Sequence, residues 1–152
     1  MKKALFPGTF DPFTIGHHDI VRRGLLLFDE IIIAIGINSS KTTMFDLELR
    51  LKWINDCYAQ EPRVSVVTYS GLTINCCVKV NAAFILRGLR TNHDYEYEKQ
   101  IAMVNADQNS DIETVFILSE HEYSSVSSTI IRDLIRHDGD YSRYLPDSVV
   151  ID

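Results

Sequence analysis

Scarcity narrows the chemistry of this chain before any motif is considered. Its three cysteines, Cys57, Cys76 and Cys77, form no C-x-x-C pair and two of them are adjacent, so neither a disulfide framework nor a zinc knuckle is available. They read as reduced cysteines, mainly of the core. No apolar run approaches the roughly 20 residues that span a bilayer, which argues against membrane insertion. The apolar stretch behind Lys2 and Lys3 stops at Pro7, too short for the core of a secretory signal, so a cytoplasmic protein is expected. Positive charge is also scarce. Twenty-one acidic residues against 15 basic ones give a formal charge of -6, and no block of five or six lysines and arginines occurs. Such a surface repels nucleic acid, whereas a few aimed cations still hold a small phosphorylated ligand. His18, His93, His121 and His137 show neither H-E-x-x-H nor any repeated ligand spacing, so no protein metal site is expected and they read as loop or surface residues.

What is present fits one domain over residues 1–152, with 45% hydrophobic and 24% charged residues and no repeat or linker. Runs rich in β-branched or aromatic residues at Ala4 to Phe6, Ile31 to Ile37, Val64 to Tyr69, Ala83 to Leu86 and Val115 to Leu118 predict buried strands. Helical spacing covers Asp19 to Phe28, Leu47 to Tyr58, Thr73 to Val80, Tyr95 to Asn105 and Ser128 to His137, the last closed by Gly139. The charged, Asn-containing stretch from Asp107 to Glu113 reads as a surface loop and not as a domain boundary. The alternation predicts an α/β fold, a Rossmann-like doubly wound five-stranded parallel sheet with helices on both faces. Ligands of such sheets bind in the loops that leave the strands' carboxyl ends.

Those loops hold the unusual residues. The first strand runs into Pro7-Gly8-Thr9-Phe10-Asp11-Pro12 and Phe13-Thr14-Ile15-Gly16-His17, ahead of a helix expected to begin at about His18 or Asp19. Gly8 and Gly16 permit close backbone approach, Thr9 and Thr14 offer hydroxyls, and His17 stands at a helix N-terminus, where free amides favour an anion. Tyr123-Ser124-Ser125-Val126-Ser127-Ser128-Thr129 precedes the last helix, so its hydroxyls and amides can bind phosphate or simply cap. Arg87-Gly88-Leu89-Arg90 follows the fourth strand and can fork onto two phosphates. Lys41 follows the second strand in Asn38-Ser39-Ser40-Lys41.

The Gly-Thr-Phe-Asp run followed by Thr-Ile-Gly-His resembles the signature of the nucleotidylyltransferase superfamily. The Arg87 to Arg90 and Asp94 to Glu98 segments narrow the resemblance to the phosphopantetheine adenylyltransferase family, over nearly the whole chain. The resemblance implies adenylyl transfer from ATP to 4'-phosphopantetheine, with Mg2+ carried by ATP, His17, Lys41 and Arg90 as catalytic residues, and a homohexamer inhibited by coenzyme A. It implies that Thr9, Lys41, Thr73 and Arg87 face the acceptor. It further implies that Thr9, Phe10, His17, Gly88, Leu89, Arg90, Glu98 and the run Tyr123, Ser124, Ser125, Val126, Ser127, Ser128, Thr129 face ATP. Three positions depart mildly from the family pattern: Thr73, where an apolar residue is frequent, Tyr123 in place of tryptophan, and Val126 in place of isoleucine. The alternatives are another small-molecule nucleotidylyltransferase, such as a nicotinate mononucleotide adenylyltransferase or a glycerol-phosphate cytidylyltransferase, and a non-catalytic nucleotide or coenzyme A sensor.

Overall fold

In the computed structural model, which describes residues 1–151, strands and helices alternate as the apolar runs predict. The strands are β1 (Lys3–Gly8), β2 (Glu30–Gly36), β3 (Val64–Tyr69), β4 (Phe84–Leu89) and β5 (Glu113–Leu118). The helices are α1 (Ile15–Gly24), α2 (Leu47–Cys57), α3 (Thr73–Val80), α4 (Asn92–Gln108) and α5 (Ser128–Arg136), and short 3-10 turns occupy His121–Tyr123 and Ser142–Tyr144. The strands pair in parallel in the order β3-β2-β1-β4-β5, so the chain reverses its direction of travel across the sheet between β1 and β4. In sheets of this kind that reversal point leaves a crevice at the carboxyl ends.

Strand alternation sends side chains to two cores. Phe6, Ile31, Ile33 and Ile35 pack with Val21 of α1, Trp53 and Ile54 of α2 and Ile131 of α5. Leu5, Ile32, Ala34 and Ile85 pack on the other face with Ile74, Cys76 and Cys77 of α3. The cysteines are free, as expected: Cys76 and Cys77 are buried and Cys57 is half-buried. Among the described residues no helix is long and apolar enough to cross a membrane.

Several boundaries differ from the sequence expectation, each for a local reason. Helix α1 begins at Ile15 rather than at His18 or Asp19, because extended Thr14 caps it by accepting from the His17 amide. It ends at Gly24 rather than Phe28. A Cβ on Gly24 would lie 2.8 Å from both Ile31 Cδ1 and Leu86 Cδ2, so glycine is what lets the helix end press onto the sheet. Helix α4 begins at Asn92, capped by Thr91, and runs through Gln108, so the stretch expected as a loop from Asp107 opens inside the helix. At the end of α5 the left-handed residue is Asp138 (φ 56°), not Gly139, whose amide reaches back to Leu134 O. His18 is no loop residue either: it lies in α1, with its ring stacked on Tyr58 at 5.5 Å and Nδ1 3.0 Å from the Tyr58 hydroxyl.

The boundary that matters for the site is β4, which continues through Arg87, Gly88 and Leu89, paired with Phe116, Ile117 and Leu118 of β5. Those residues were expected in the loop after the strand. Against β5 the ladder is complete, but against β1 it contains only two pairs, Ala4 with Phe84 and Leu5 with Ile85. Pro7, two residues beyond Leu5, has no N–H to continue it. Arg87 satisfies the Pro7 carbonyl instead, its Nη1 donating to that oxygen at 2.7 Å. The sheet is thus split from Pro7 outward, and a guanidinium stands in the split.

Candidate active site

Two adjoining cavities open at the carboxyl ends of β1, β2 and β4, of about 670 and 600 Å3. The first is lined by Thr9, Phe10, His17, Gly88, Arg90, Glu98 and Val126 through Thr129, residues proposed from the sequence for ATP. The second is lined by Thr9, Lys41, Thr73 and Arg87, the set proposed for the acceptor. Thr9, Lys41, Arg87 and Glu98 line both and form the seam. Leu89, Tyr123, Ser124 and Ser125 line neither. Leu89 is buried, Tyr123 packs against the core, and the Ser124 hydroxyl donates to His121 O.

His17 is the third residue of α1, and its imidazole is wrapped by aromatic rings: Phe10 at 5.0 Å edge-on, Phe13 at 5.4 Å stacked and Phe6 at 6.2 Å. Its Nδ1 lies 3.0 Å from the Thr14 amide, which donates to it, and 3.1 Å from the Thr14 hydroxyl. Since Nδ1 accepts, the ring proton sits on Nε2 and is available to the cavity. Burial, then the charges of Arg90 and Arg87, lower its pKa from 6.5 to about 3, so the ring is neutral at physiological pH. The aromatic wrap has a backbone cost, since Phe10 adopts φ 51°, a conformation that L-residues rarely take. Gly8 serves that arrangement: a Cβ there would lie 2.8 Å from the Phe10 ring.

The cations come from three elements. Arg87, on β4, is fully engaged, with Nε and Nη2 on the two Glu98 oxygens at 2.7 and 2.5 Å and Nη1 on Pro7 O. Arg90, just past β4, is aimed by Asp94 in the first turn of α4 at 3.1 Å and donates to Val126 O at 3.3 Å. Lys41 is exposed in the loop between β2 and α2. In the serine-rich turn Ser128 spends its hydroxyl proton on Pro12 O, whereas Ser127, which caps α5 by accepting from Ile130 N, and Thr129, which accepts from Arg132, keep their O–H donors. Those two hydroxyls and the α5 N-terminus can meet an anion. Two cationic linings were missed by the sequence reading, Arg132 and Arg136 of α5, although their four-residue spacing already places them on one face. Among the described residues, no three His, Cys, Asp or Glu side chains gather as a metal-binding group.

A family profile described as cytidylyltransferase-like matches residues 5–134. The phosphopantetheine adenylyltransferase of Flavobacterium johnsoniae is 54% identical over 149 residues, which cover 98% of this chain and 97% of that protein. Those of Bacteroides thetaiotaomicron and Phocaeicola vulgatus are 48% and 47% identical, over 99% and 100% of each chain. The chain belongs to the phosphopantetheine adenylyltransferase family. The split between β1 and β4 gathers His17, Lys41, Arg87 and Arg90 on two cavities with a common wall.

Proposed function

We infer that this chain transfers the adenylyl group of ATP to 4'-phosphopantetheine, forming dephospho-coenzyme A and pyrophosphate in coenzyme A biosynthesis. Similarity over nearly the full length to phosphopantetheine adenylyltransferases supports the substrates. The observation that carries the reaction class is His17, a neutral donor half-buried among aromatic rings at the wall of a cavity that also holds Arg90 and Lys41. In this reading ATP takes the first cavity and the acceptor takes the second, with the two phosphates meeting at the seam.

The acceptor's phosphate, with a second pKa of about 6, is already largely dianionic at neutral pH and attacks the α-phosphorus without a protein base. The new P–O bond forms as the bond to the β-phosphate oxygen breaks, and pyrophosphate leaves with that electron pair. His17 donates from Nε2–H to an α-phosphate oxygen, Lys41 screens the attacking and reacting phosphates, and Arg90 with the α5 N-terminus holds the β and γ groups. Arg87 orients the acceptor, whose phosphate must compete with Glu98 for the guanidinium. Mg2+ fits as a companion of ATP, neutralising phosphate charge, because the wall of the first cavity is cationic and hydroxylated and offers phosphates their own partners.

A cytoplasmic homohexamer completes the reading by family resemblance. Helix α4 buries none of its residues within the chain and exposes Tyr97, Met103 and Val104, which supports self-association on that helix. Purified protein given ATP, Mg2+ and 4'-phosphopantetheine should yield equal amounts of pyrophosphate and dephospho-coenzyme A by mass, and nicotinate mononucleotide should yield no dinucleotide. Absence of dephospho-coenzyme A, or preference for the mononucleotide, would reject the assignment. Because His17 does not titrate near neutrality, the rate should rise with ionisation of the acceptor's phosphate at about pH 6 and then level off.

A further inference from the structure

Two buried charged side chains beside the seam have no place in the transfer described above, although Arg132 Nη1 of the first cavity stands 3.9 Å from Asp11 Oδ2. Asp11 and Arg50 are 4% and 5% exposed. The Asp11 carboxylate accepts two consecutive amides, Met44 N at 2.8 Å on Oδ2 and Phe45 N at 2.9 Å on Oδ1. Arg50, in the first turns of α2, donates through Nε to the Phe45 and Asp46 carbonyls at 3.0 and 3.2 Å. Its Nη1 crosses to Thr9 O at 2.7 Å. Asp11, in the loop after β1, therefore binds the backbone ahead of α2, and Arg50 of α2 binds the backbone of the loop after β1.

Helix capping does not account for this arrangement, since α2 already has its own cap in Asp46, which accepts from Leu49 N at 2.8 Å. What the cross-links fix is the end of the loop that carries Lys41. That end lies three residues from Lys41, at most about 11 Å of chain, and the Thr43 hydroxyl stiffens the interval by donating to Phe45 O. Thr9, the other tied residue, stands with Lys41 on the seam.

We propose that Asp11 and Arg50 are positioning residues that hold Lys41 at the reacting phosphates by locking its loop to the loop after β1. The proposal rests on the role given to Lys41 above. With both carboxylate oxygens accepting from amides, Asp11 acts through the loop. A displaced Lys41 loses charge neutralisation in the transition state, so the effect falls on turnover more than on ATP binding.

The test is a double-mutant cycle of Asp11→Asn with Lys41→Ala, read by steady-state kinetics with ATP and 4'-phosphopantetheine. Asp11→Asn keeps the volume, leaves one oxygen for two amides, and should lower kcat by about 10-fold to 100-fold while KM for ATP moves less than about threefold. In the Lys41→Ala background the same change should lower kcat no further. Multiplied effects, or an Asp11→Asn enzyme with normal kcat, overturn the proposal. Normal kcat in Lys41→Ala alone overturns the role of Lys41 instead, and the proposal falls with it. Should Asp11→Asn fail to fold by circular dichroism, Arg50→Lys replaces it in the cycle. That variant breaks the same brace from the other side, with the same two outcomes.

Discussion

β1 meets its two neighbours in opposite ways. Along β2 it pairs over six residues, from Lys3 with Glu30 to Gly8 with Ile35, and the side chains between them are among the most buried in the chain. Along β4 it pairs over two residues and then parts, and the partners beyond are an arginine, a proline carbonyl and two cavities. One seam holds the fold and the other opens onto the cavities. A parallel sheet has no solvent-facing edge at its centre, so a central cleft requires that a ladder stop, and something must then satisfy the backbone left unpaired. Pro7 and Arg87 together do this: the proline offers no donor and the guanidinium answers its carbonyl.

The contrast is broken most forcefully on the closed side. Ile33→Ala, at a side chain with no exposure, should destabilise the protein by about 2–5 kcal/mol in chemical denaturation while leaving KM for both substrates near normal. On the open side the pattern should invert. Arg87→Ala should cost about 1–3 kcal/mol, since Glu98 and Pro7 O lose partners, and should raise the acceptor's KM strongly while ATP's stays within about threefold. A raised KM for ATP with an unchanged acceptor KM would reverse the assignment of the two cavities.

Acid sharpens the same distinction. The folded-state pKa of His17 is depressed to about 3 from 6.5, so only the unfolded chain gains this proton as pH falls between those values. His17 therefore contributes stability that is full above pH 6.5 and is lost toward pH 3, with a slope of up to about 1.4 kcal/mol per pH unit. His17→Asn should flatten the acid limb of stability by that amount, and an unaltered limb would mean the ring is not held neutral. The smallest effect belongs far from either seam: Lys52→Ala removes an exposed pair with Asp56 and should leave the melting temperature within about 2 °C.

Much of this was legible in the sequence because local and global signals agree. Strand-like runs alternating with helical spacing specify the parallel sheet, and β3 and α3 stand where their patterns place them. The grouping of Thr9, Lys41, Thr73 and Arg87 apart from His17, Arg90 and the serine-rich turn came from resemblance; in the structure Thr9, Lys41 and Arg87 line both cavities, Thr73 only the second, and His17 and Arg90 only the first. What stayed hidden depends on contacts distant in sequence. Arg87-Gly88-Leu89 reads as a turn because glycine disfavours strands, but pairing with β5 overrides that preference. Nothing local shows that Arg87 is committed to Glu98 and Pro7, or that Asp11 ties down residues 44 and 45. The cap at Thr14 was within reach, since Thr-x-x-His follows the spacing of a capping box with histidine in the usual glutamate position.

That cap gives His17 a structural role beside the catalytic one proposed for it. Nδ1 closes the helix end by accepting from Thr14 N, and Nε2–H is left without a part in the cap. His17→Ala removes both and should lose about 1 kcal/mol of stability along with its turnover. His17→Asn separates them, because the amide oxygen can take the place of Nδ1 while no donor remains at Nε2. The direct measurement is kcat and melting temperature for His17→Asn beside wild type, with ATP and 4'-phosphopantetheine saturating. A fall in kcat of about 100-fold or more at a nearly unchanged melting temperature is the predicted result. A folded His17→Asn enzyme with near-normal kcat would contradict the claim that the open seam stabilises the transferring phosphate through this ring.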